Sequence, residues 1–219
     1  MNKRIIVFSP HPDDETLGCG GTIVKKLDEG YDVYVVLMTD GRHSHDHTFG
    51  INDPTPREIK TIRTQEFRNA MRILEVNEKN LILLDFEDGS LEEHVEEAEK
   101  KVADILSEIR PVEIYMPFRH DAKKDHEYTF KIVVASLRKT NISPTIYEYP
   151  IWSRKKDVTG YNSRDVTLQD ITGVLETKAE AISAYESQIS KISPKQRSPV
   201  LGKSFIEMFL QNKEVFYTS

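Results

Sequence analysis

RIIVFSPHPDDE, residues 4–15, is the stretch that decides the fold. Its apolar first half predicts a buried β-strand over Arg4–Ser9. Helical spacing of apolar residues over Thr16–Glu29, ended by Gly30, predicts a helix, and the apolar run Tyr31–Thr39 (YDVYVVLMT) predicts a second strand. This strand, helix, strand unit is typical of α/β proteins with a parallel sheet.

Capping signals predict two further helices. Thr55-Pro56-Arg57-Glu58 combines an N-cap threonine, a proline at the first helical position and a glutamate three residues after the cap, which predicts a helix through about Leu74. A second capping box at Ser90-Leu91-Glu92-Glu93 predicts a helix that ends near Arg110-Pro111. The other predicted elements are strands at Asn80–Leu84, Val112–Met116 and Thr145–Tyr149, a helix that follows the polar loop Phe118–Asp125 and runs to about Thr140, an irregular or antiparallel stretch at Ser153–Gly173, and helical stretches at Gly173–Ser190 and Lys203–Gln211.

The alternation of strands and helices with short connections predicts an α/β, Rossmann-like fold. We expect a mostly parallel sheet with helices on both faces, in three α/β/α layers. The chain has 219 residues, of which 38% are apolar. This is enough for one domain with a sizeable core and too little for two ordinary ones, so residues 1–219 are expected to form a single domain.

Composition also excludes several kinds of partner and metal site. The net charge of −6 and the pI of about 5.7 give no broad attraction to phosphate backbones or anionic membranes, so nucleic-acid partners are not expected. No apolar run approaches the roughly 20 residues that cross a bilayer, and the first residues lack a signal-peptide pattern. We therefore expect a cytoplasmic protein without membrane insertion. Cys19 is the only cysteine, so any metal site must use histidine and carboxylate ligands.

The turn after the first strand carries the candidate chemistry, because ligand sites of open α/β sheets lie at the carboxyl ends of the strands. His11 and Asp14 are separated by two residues, so both could bind one ion at about 2.0–2.2 Å. A third ligand should come from another strand end, and His126 is the best candidate. Asp13 can then act as the general base that takes a proton from the metal-bound water, so that an amide is attacked near neutral pH. The alternative is that these residues only cap the helix that begins near Thr16.

These residues resemble the PIG-L, or LmbE-like, family of N-acetylglucosamine deacetylases. The most specific family motif is HPDDE, here His11–Glu15. Further similarities extend over nearly the whole chain. They are Thr39-Asp40-Gly41 (TDG), Arg63 with Glu66, Ala70 and Leu74 (R..E...A...L), Asp88-Gly89-Ser90-Leu91 (DGxL), Asp125-His126 (DH), and Lys178, Ala181, Tyr185, Ser187 and Gln188 (K..A...Y.SQ).

The resemblance implies a Rossmann-like fold that binds one Zn²⁺ and removes the acetyl group from an N-acetylglucosamine-type sugar, a small-molecule substrate. It implies His11, Asp14 and His126 as metal ligands and Asp13 as general base. The same two histidines and one carboxylate also suit Fe²⁺. The candidate substrate-binding residues are Arg63, Asp88 and Asp40. Several family members form trimers or hexamers, so a homo-oligomer is compatible with the resemblance.

One position departs from the family pattern. Many members have a histidine three residues before the last metal ligand, whereas this chain has Lys123. Three catalytic arrangements stay open: Lys123 as an electrostatic stabiliser, His120 as the acid, or Asp13 as the acid after it has served as base. The lysine at this position also leaves a non-catalytic interpretation open, in which this chain is a family relative that binds a metal or a sugar without hydrolysing it.

Other interpretations compete with the deacetylase. A metal-dependent amidase acting on another N-acylated small molecule or thiol conjugate would use the same four residues. Gly18-Cys19-Gly20-Gly21 could instead be a phosphate-binding loop, but its spacing is not that of a dinucleotide-binding fingerprint. His43, His45 and His47 would share one face of an extended segment and could bind a second ion, although a polar rim loop of the active site is the better interpretation.

Overall fold

The computed structural model describes residues 3–153 and 165–218, whose strands form one seven-stranded sheet. In chain order the strands are β1 (Arg4–Ser9), β2 (Asp32–Thr39), β3 (Leu81–Phe86), β4 (Glu113–Pro117), β5 (Thr145–Tyr149), β6 (Val166–Asp170) and β7 (Lys213–Thr218). The α-helices are α1 (Asp14–Asp28), α2 (Asp46–Phe49), α3 (Pro56–Ile73), α4 (Val95–Ile109), α5 (Lys124–Thr140), α6 (Leu175–Ser183), α7 (Glu186–Ile189) and α8 (Lys203–Glu207).

The strand order across the sheet is β3-β2-β1-β4-β5-β7-β6. The first five strands in this order, β3, β2, β1, β4 and β5, pair in parallel with their neighbours. Strand β7 pairs antiparallel with β5 and with β6. The chain winds from β1 outward to β3 and then returns to the other side of β1 as β4. This reversal places a crevice at the carboxyl ends of β1 and β4, where open α/β sheets bind ligands. The predicted α/β, mostly parallel fold is confirmed.

Apolar side chains on both faces of β1 explain the layers. Ile5 and Val7 join a core that includes residues of α1, α3 and α6, whereas Ile6 and Phe8 join a second core with residues of α4 and α5. All four side chains are fully buried. Because successive strand residues point to opposite faces, a continuous apolar run such as RIIVFS requires helices on both sides of the sheet.

The two predicted capping boxes have different outcomes. Thr55 caps α3 as predicted: its Oγ1 accepts from the Glu58 amide at 3.3 Å, and the Glu58 carboxylate accepts from the Thr55 amide at 2.8 Å. The box at Ser90 is wrong, because Ser90 Oγ donates to the Glu87 carbonyl and a 3₁₀ turn, Leu91–His94, precedes α4. Long-range contacts with Asp125 fix this turn and override the local signal.

The last third of the chain departs most from the sequence-based elements. The helical stretch predicted at 173–190 is divided between α6 and α7, and the Ser187 amide in the first turn of α7 donates to Glu66 on α3. Helix α8 is shorter than predicted and is followed by β7, which the apolar pattern did not indicate. The antiparallel addition predicted within Ser153–Gly173 is present as β6, and residues 154–164 of that stretch lie outside the described residues. Among the described helices, none is both long and apolar enough to span a bilayer.

Candidate functional site

The predicted site residues come together at the crevice between β1 and β4. The turn after β1 carries His11 and leads into α1, whose first residue is Asp14. The loop after β4 leads into α5, which carries His126 in its first turn. Because β1 and β4 are adjacent parallel strands, these two segments leave the sheet at the same edge.

Asp14 links the two histidines. Its Oδ2 lies 3.1 Å from His11 Nδ1 and 3.1 Å from His126 Nε2. The three side chains offer ligand atoms that all lie within 4.8 Å of one another, which satisfies the spacing of a metal site. Their donor set, two imidazoles and one carboxylate, suits a catalytic divalent cation that keeps a position open for water.

An unpartnered nitrogen supports a cation at this position. His126 is fully buried, and its Nε2 has no hydrogen-bond partner within the described residues, since the nearby Asp14 carboxylate is not aligned to accept. A buried polar atom left in this state costs free energy unless another group binds it. The site therefore fits a divalent cation.

Asp121 fixes the orientation of His126. Asp121 Oδ2 accepts from His126 Nδ1 at 2.9 Å, so that the proton is held on Nδ1 and the Nε2 lone pair faces Asp14. The same carboxylate accepts from the amides of Ile151 at 3.1 Å, Trp152 at 2.8 Å and Ser153 at 2.6 Å. Our sequence reasoning did not assign this role, although an acid in the loop before a ligand histidine is a usable signal.

The other nitrogen of His11 faces two acids. His11 Nε2 lies 3.1 Å from Asp125 Oδ2 and 3.2 Å from Asp88 Oδ1, which forms a second group able to hold a metal. These acids already accept backbone hydrogens, Asp125 from Gly89 at 2.7 Å and Asp88 from His43 at 3.0 Å. They therefore suit hydrogen bonds from His11 Nε2–H, which leaves the Nδ1 lone pair directed at the Asp14 side.

Charges inside the cluster stabilise one another. Burial opposes the charged form of His126, but the Asp14 carboxylate and the Asp121 hydrogen bond outweigh burial and raise the pKa of His126 to about 9. Burial also opposes ionisation of Asp14, yet the neighbouring histidines hold its pKa well below the usual range. A cation would replace the proton of the imidazole in this balance, since metal ligands must be deprotonated.

Asp13 lies beside the ligands in an unusual backbone conformation. Its φ of 130° is one that residues other than glycine rarely adopt, and it occupies the N-cap position of α1 without a side-chain cap hydrogen bond. Burial raises the pKa of Asp13 to about 8, although the Arg63 guanidinium opposes this rise. A buried carboxyl group with a pKa near neutrality suits proton transfer. Because the Asp13 side chain makes no cap hydrogen bond, the helix-cap interpretation does not describe this residue.

Arg63 holds the turn after β1 in place. Its guanidinium donates to Asp13 Oδ2 at 3.0 Å, to the Gly41 carbonyl at 3.0 Å and to the Pro12 carbonyl. Gly41 has a φ of 65°, and a Cβ there would collide with this guanidinium, which explains the glycine of the TDG motif. Asp40 of the same motif is buried and pairs with Arg42 Nε at 2.8 Å and with Lys60 at 3.4 Å.

Glu15, the last residue of HPDDE, anchors the turn to the late part of the chain. It is fully buried and accepts hydrogen bonds from Ser9 Oγ at 2.7 Å, from Thr16 Oγ1 at 2.7 Å and from the Tyr185 hydroxyl. This contact explains why a tyrosine that lies 170 positions away belongs to the same site. Sequence reasoning noted the motif around Tyr185 but not its partner.

The candidate electrostatic stabiliser, Lys123, and one candidate acid, His120, lie on the exposed side of the loop after β4. Lys123 is exposed, and its Nζ lies 4.9 Å from the centroid of the Trp152 ring. His120 is also exposed, with its ring 5.5 Å from that of Phe118 in a T-shaped contact. The structure thus separates the buried side chains of Asp13, Asp14 and His126 from an exposed rim that carries Lys123 and His120.

The histidine-rich loop has a different geometry from that of an extended segment. His43 and His47 stack, with ring centroids 4.5 Å apart, because the segment turns helically into α2. His45 is fully buried instead, and burial together with Arg63 lowers its pKa to about 4. The prediction that all three histidines share a face is therefore wrong.

The chain is similar in sequence to several known proteins. Residues 6–137 match the PIG-L family, described as GlcNAc-PI de-N-acetylase. The diacetylchitobiose deacetylase of Thermococcus kodakarensis is 30% identical over 85% of this chain and 70% of its own length. A probable N-acetyl-α-D-glucosaminyl L-malate deacetylase 2 of Bacillus cereus is 28% identical over 100% of this chain and 98% of its own.

Solved structures share the fold. The N,N'-diacetylchitobiose deacetylase of Pyrococcus horikoshii, complexed with its inhibitor, superposes with a TM-score of 0.74 over 99% of this chain and 84% of that one, at 23% identity. A conserved protein of Thermus thermophilus superposes with a TM-score of 0.69 over 97% of this chain and 93% of its own, also at 23% identity. Both superpositions support the α/β fold described above.

Proposed function

This chain belongs to the PIG-L family and is a deacetylase, a hydrolase of amide bonds, and we propose that it removes the acetyl group from an N-acetylglucosamine-type sugar or conjugate. The relatives named above are deacetylases of such sugars. The observation that carries the proposal is the group of half-buried His11 with buried Asp14 and His126, and with buried Asp13 beside it.

We assign the metal to His11 Nδ1, Asp14 and His126 Nε2, and we propose Zn²⁺ as the ion, with Fe²⁺ as the alternative that the same donors suit. A divalent cation supplies Lewis-acid polarisation of the acetyl carbonyl and makes water a nucleophile near neutral pH. Asp121 and the Asp125 carboxylate hold the two imidazoles in the orientation that ligation needs.

Asp13 moves the proton. It accepts a proton from the attacking water as the water oxygen bonds to the acetyl carbon. The C–N bond then breaks as Asp13 returns this proton to the nitrogen, and acetate and a free amine are released. We prefer Asp13 to His120 for the second transfer because Asp13 is buried beside the ligands and has a pKa raised to about 8, whereas His120 is exposed.

The rim residues serve the substrate. Lys123 would place its ammonium group near the developing negative charge or a sugar hydroxyl, and it lies over the Trp152 ring, which itself stacks on Phe205. Asp88, beside His11, can accept hydrogen bonds from sugar hydroxyls. We propose that Arg63 acts through Asp13 and that Asp40 acts through Arg42, because each is already engaged with that partner.

Acetate release tests this function. Purified protein would be incubated with N-acetylglucosamine, N,N'-diacetylchitobiose and N-acetylglucosaminyl malate, with and without a chelator and with Zn²⁺ or Fe²⁺ added back. We expect acetate from at least one of these sugars, loss of the activity with chelator and recovery with metal. Activity that a chelator leaves unchanged would contradict the metal assignment. Hydrolysis confined to N-acylated amines that are not sugars would contradict the substrate class.

A further inference from the structure

A second group of metal-ligating side chains lies at the rim, outside the site described above. The His47 amide donates to the His43 carbonyl at 3.2 Å, which is the i to i+4 bond of a helical turn. Both imidazoles therefore project from one face, and their rings stack at 4.5 Å with an interplanar angle of 11°. Two histidines spaced by four residues on a helical turn can hold one metal ion between them.

A carboxylate completes the group. Asp46 Oδ2 lies 2.8 Å from His43 Nδ1, and the ligand atoms of His43, Asp46 and His47 all lie within 4.8 Å of one another. Ligands bonded to one zinc ion at about 2.1 Å in tetrahedral geometry are roughly 3.4 Å apart. Because His47 is exposed, a small rotation of its side chain is enough to reach that spacing. Glu87, 2.9 Å from His43 Nε2, adds a further negative charge.

The rim group is adjacent to the catalytic centre but uses different ligands. The His43 amide donates to Asp88 Oδ2 at 3.0 Å, and Asp88 Oδ1 lies 3.2 Å from His11 Nε2. The two groups are thus connected through one carboxylate, and neither uses a ligand of the other.

We propose that His43, Asp46 and His47 form a second divalent-cation site, which binds Zn²⁺ or a similar borderline ion more weakly than the buried site does. The donor set is the same, two imidazoles and one carboxylate. The lower affinity follows from exposure: His126 is fully buried and fixed by Asp121, whereas His47 is exposed and Asp46 only half-buried, so these side chains must be ordered on binding.

Zinc titration tests the second site without reference to catalysis. The full chain would be stripped of metal with a chelator, exchanged into buffer and titrated with ZnCl₂ by calorimetry and equilibrium dialysis. We expect two equivalents to bind in two separate steps. His47→Ala should weaken the second step by at least about tenfold and leave the first step unchanged. Asp14→Ala should remove the first step and retain the second.

Two further variants control for folding and for adventitious surface binding. Asp46→Asn keeps the shape of the side chain and should weaken the second step as His47→Ala does, with a melting temperature in chelator equal to that of the wild type. His94→Ala removes another exposed histidine, one that packs on Phe86, and should leave both steps unchanged. A single equivalent in the wild type, or a second step that persists in both His47→Ala and Asp46→Asn, would overturn the proposal.

Discussion

The turn that follows β1 and the loop that follows β4 contribute to the same site, yet they differ in how much of each is fixed. In the turn, three consecutive acids are buried and each has its own partner: Asp13 pairs with Arg63, Asp14 with the two histidines, and Glu15 with Tyr185. In the loop after β4 and the helix turn that follows it, Asp121 and His126 are buried, whereas Lys123 is exposed.

This difference separates two parts of the chemistry. Buried charges are costly unless they are paired, so the arrangement of the turn tolerates little change and would preorganise the residues that we propose as metal ligands and base. Exposed groups at the rim can be exchanged at low cost in stability. A family that keeps the buried residues of the turn and varies the exposed residues of the rim can direct one reaction to different conjugates.

The largest effect is expected from a ligand in the turn. Asp14→Ala should remove the bound metal and reduce acetate release to background, because the two histidines lose the carboxylate between them. Metal analysis and an acetate assay on the same preparation would check this result. Asp28→Ala, which changes an exposed acid at the end of the same helix, should retain both metal and activity.

Asp13→Asn should give the next largest effect. The amide keeps the size of the side chain but cannot accept the proton, so kcat should fall by about 10²–10⁴-fold, the usual contribution of acid–base catalysis. Bound metal should stay at the wild-type level. Full activity in this variant would remove Asp13 from the mechanism.

A smaller effect is expected from the buried side of the loop. Asp121→Asn leaves His126 Nδ1 facing an amide instead of a carboxylate, and zinc affinity should fall by about 10–100-fold. Activity at saturating zinc should approach that of the wild type, which distinguishes an orienting role from direct participation. An unchanged zinc affinity would show that Asp121 serves only the backbone amides after β5.

The smallest effect is expected on the exposed rim. Lys123→Ala removes an exposed ammonium group from the proposed substrate rim and should lower kcat/KM about twofold to fivefold, which corresponds to the loss of an exposed charge interaction of about 0.5–1 kcal/mol with the substrate. Lys124→Ala provides the matched control, since Lys124 pairs with Glu92 on the exposed surface and should have no effect. A loss of kcat/KM above about a hundredfold for Lys123→Ala would make Lys123 a catalytic group. It would also contradict the difference in role between the buried and exposed sides of the loop.

The same contrast explains what the sequence could predict. The turn after β1 combines a buried strand, two prolines and a dense run of acids, which are local signals of a rigid site. The roles of Asp121 and Glu15 depend on tertiary partners: Asp121 holds amides about 30 residues away, and Glu15 meets Tyr185 at the far end of the chain. A local pattern carries no information about such partners.

The failed interpretations have the same physical origin. Ser90 has the right neighbours for a capping box, but Asp125 takes the Gly89 amide and shapes the turn instead. The alternation of His43, His45 and His47 suggests one face only if the segment is extended, and its helical turn places His45 on the opposite side. In the first case a tertiary contact decides the local structure, and in the second a helical backbone replaces the extended one that the alternation assumes.

Anomalous diffraction at the zinc absorption edge, on crystals grown with one equivalent of Zn²⁺, tests the central claim most directly. We predict one strong peak bounded by His11 Nδ1, Asp14 and His126 Nε2, with Asp13 adjacent to it. A peak on the Nε2 side of His11, between Asp88 and Asp125, or no peak at either position, would contradict the account.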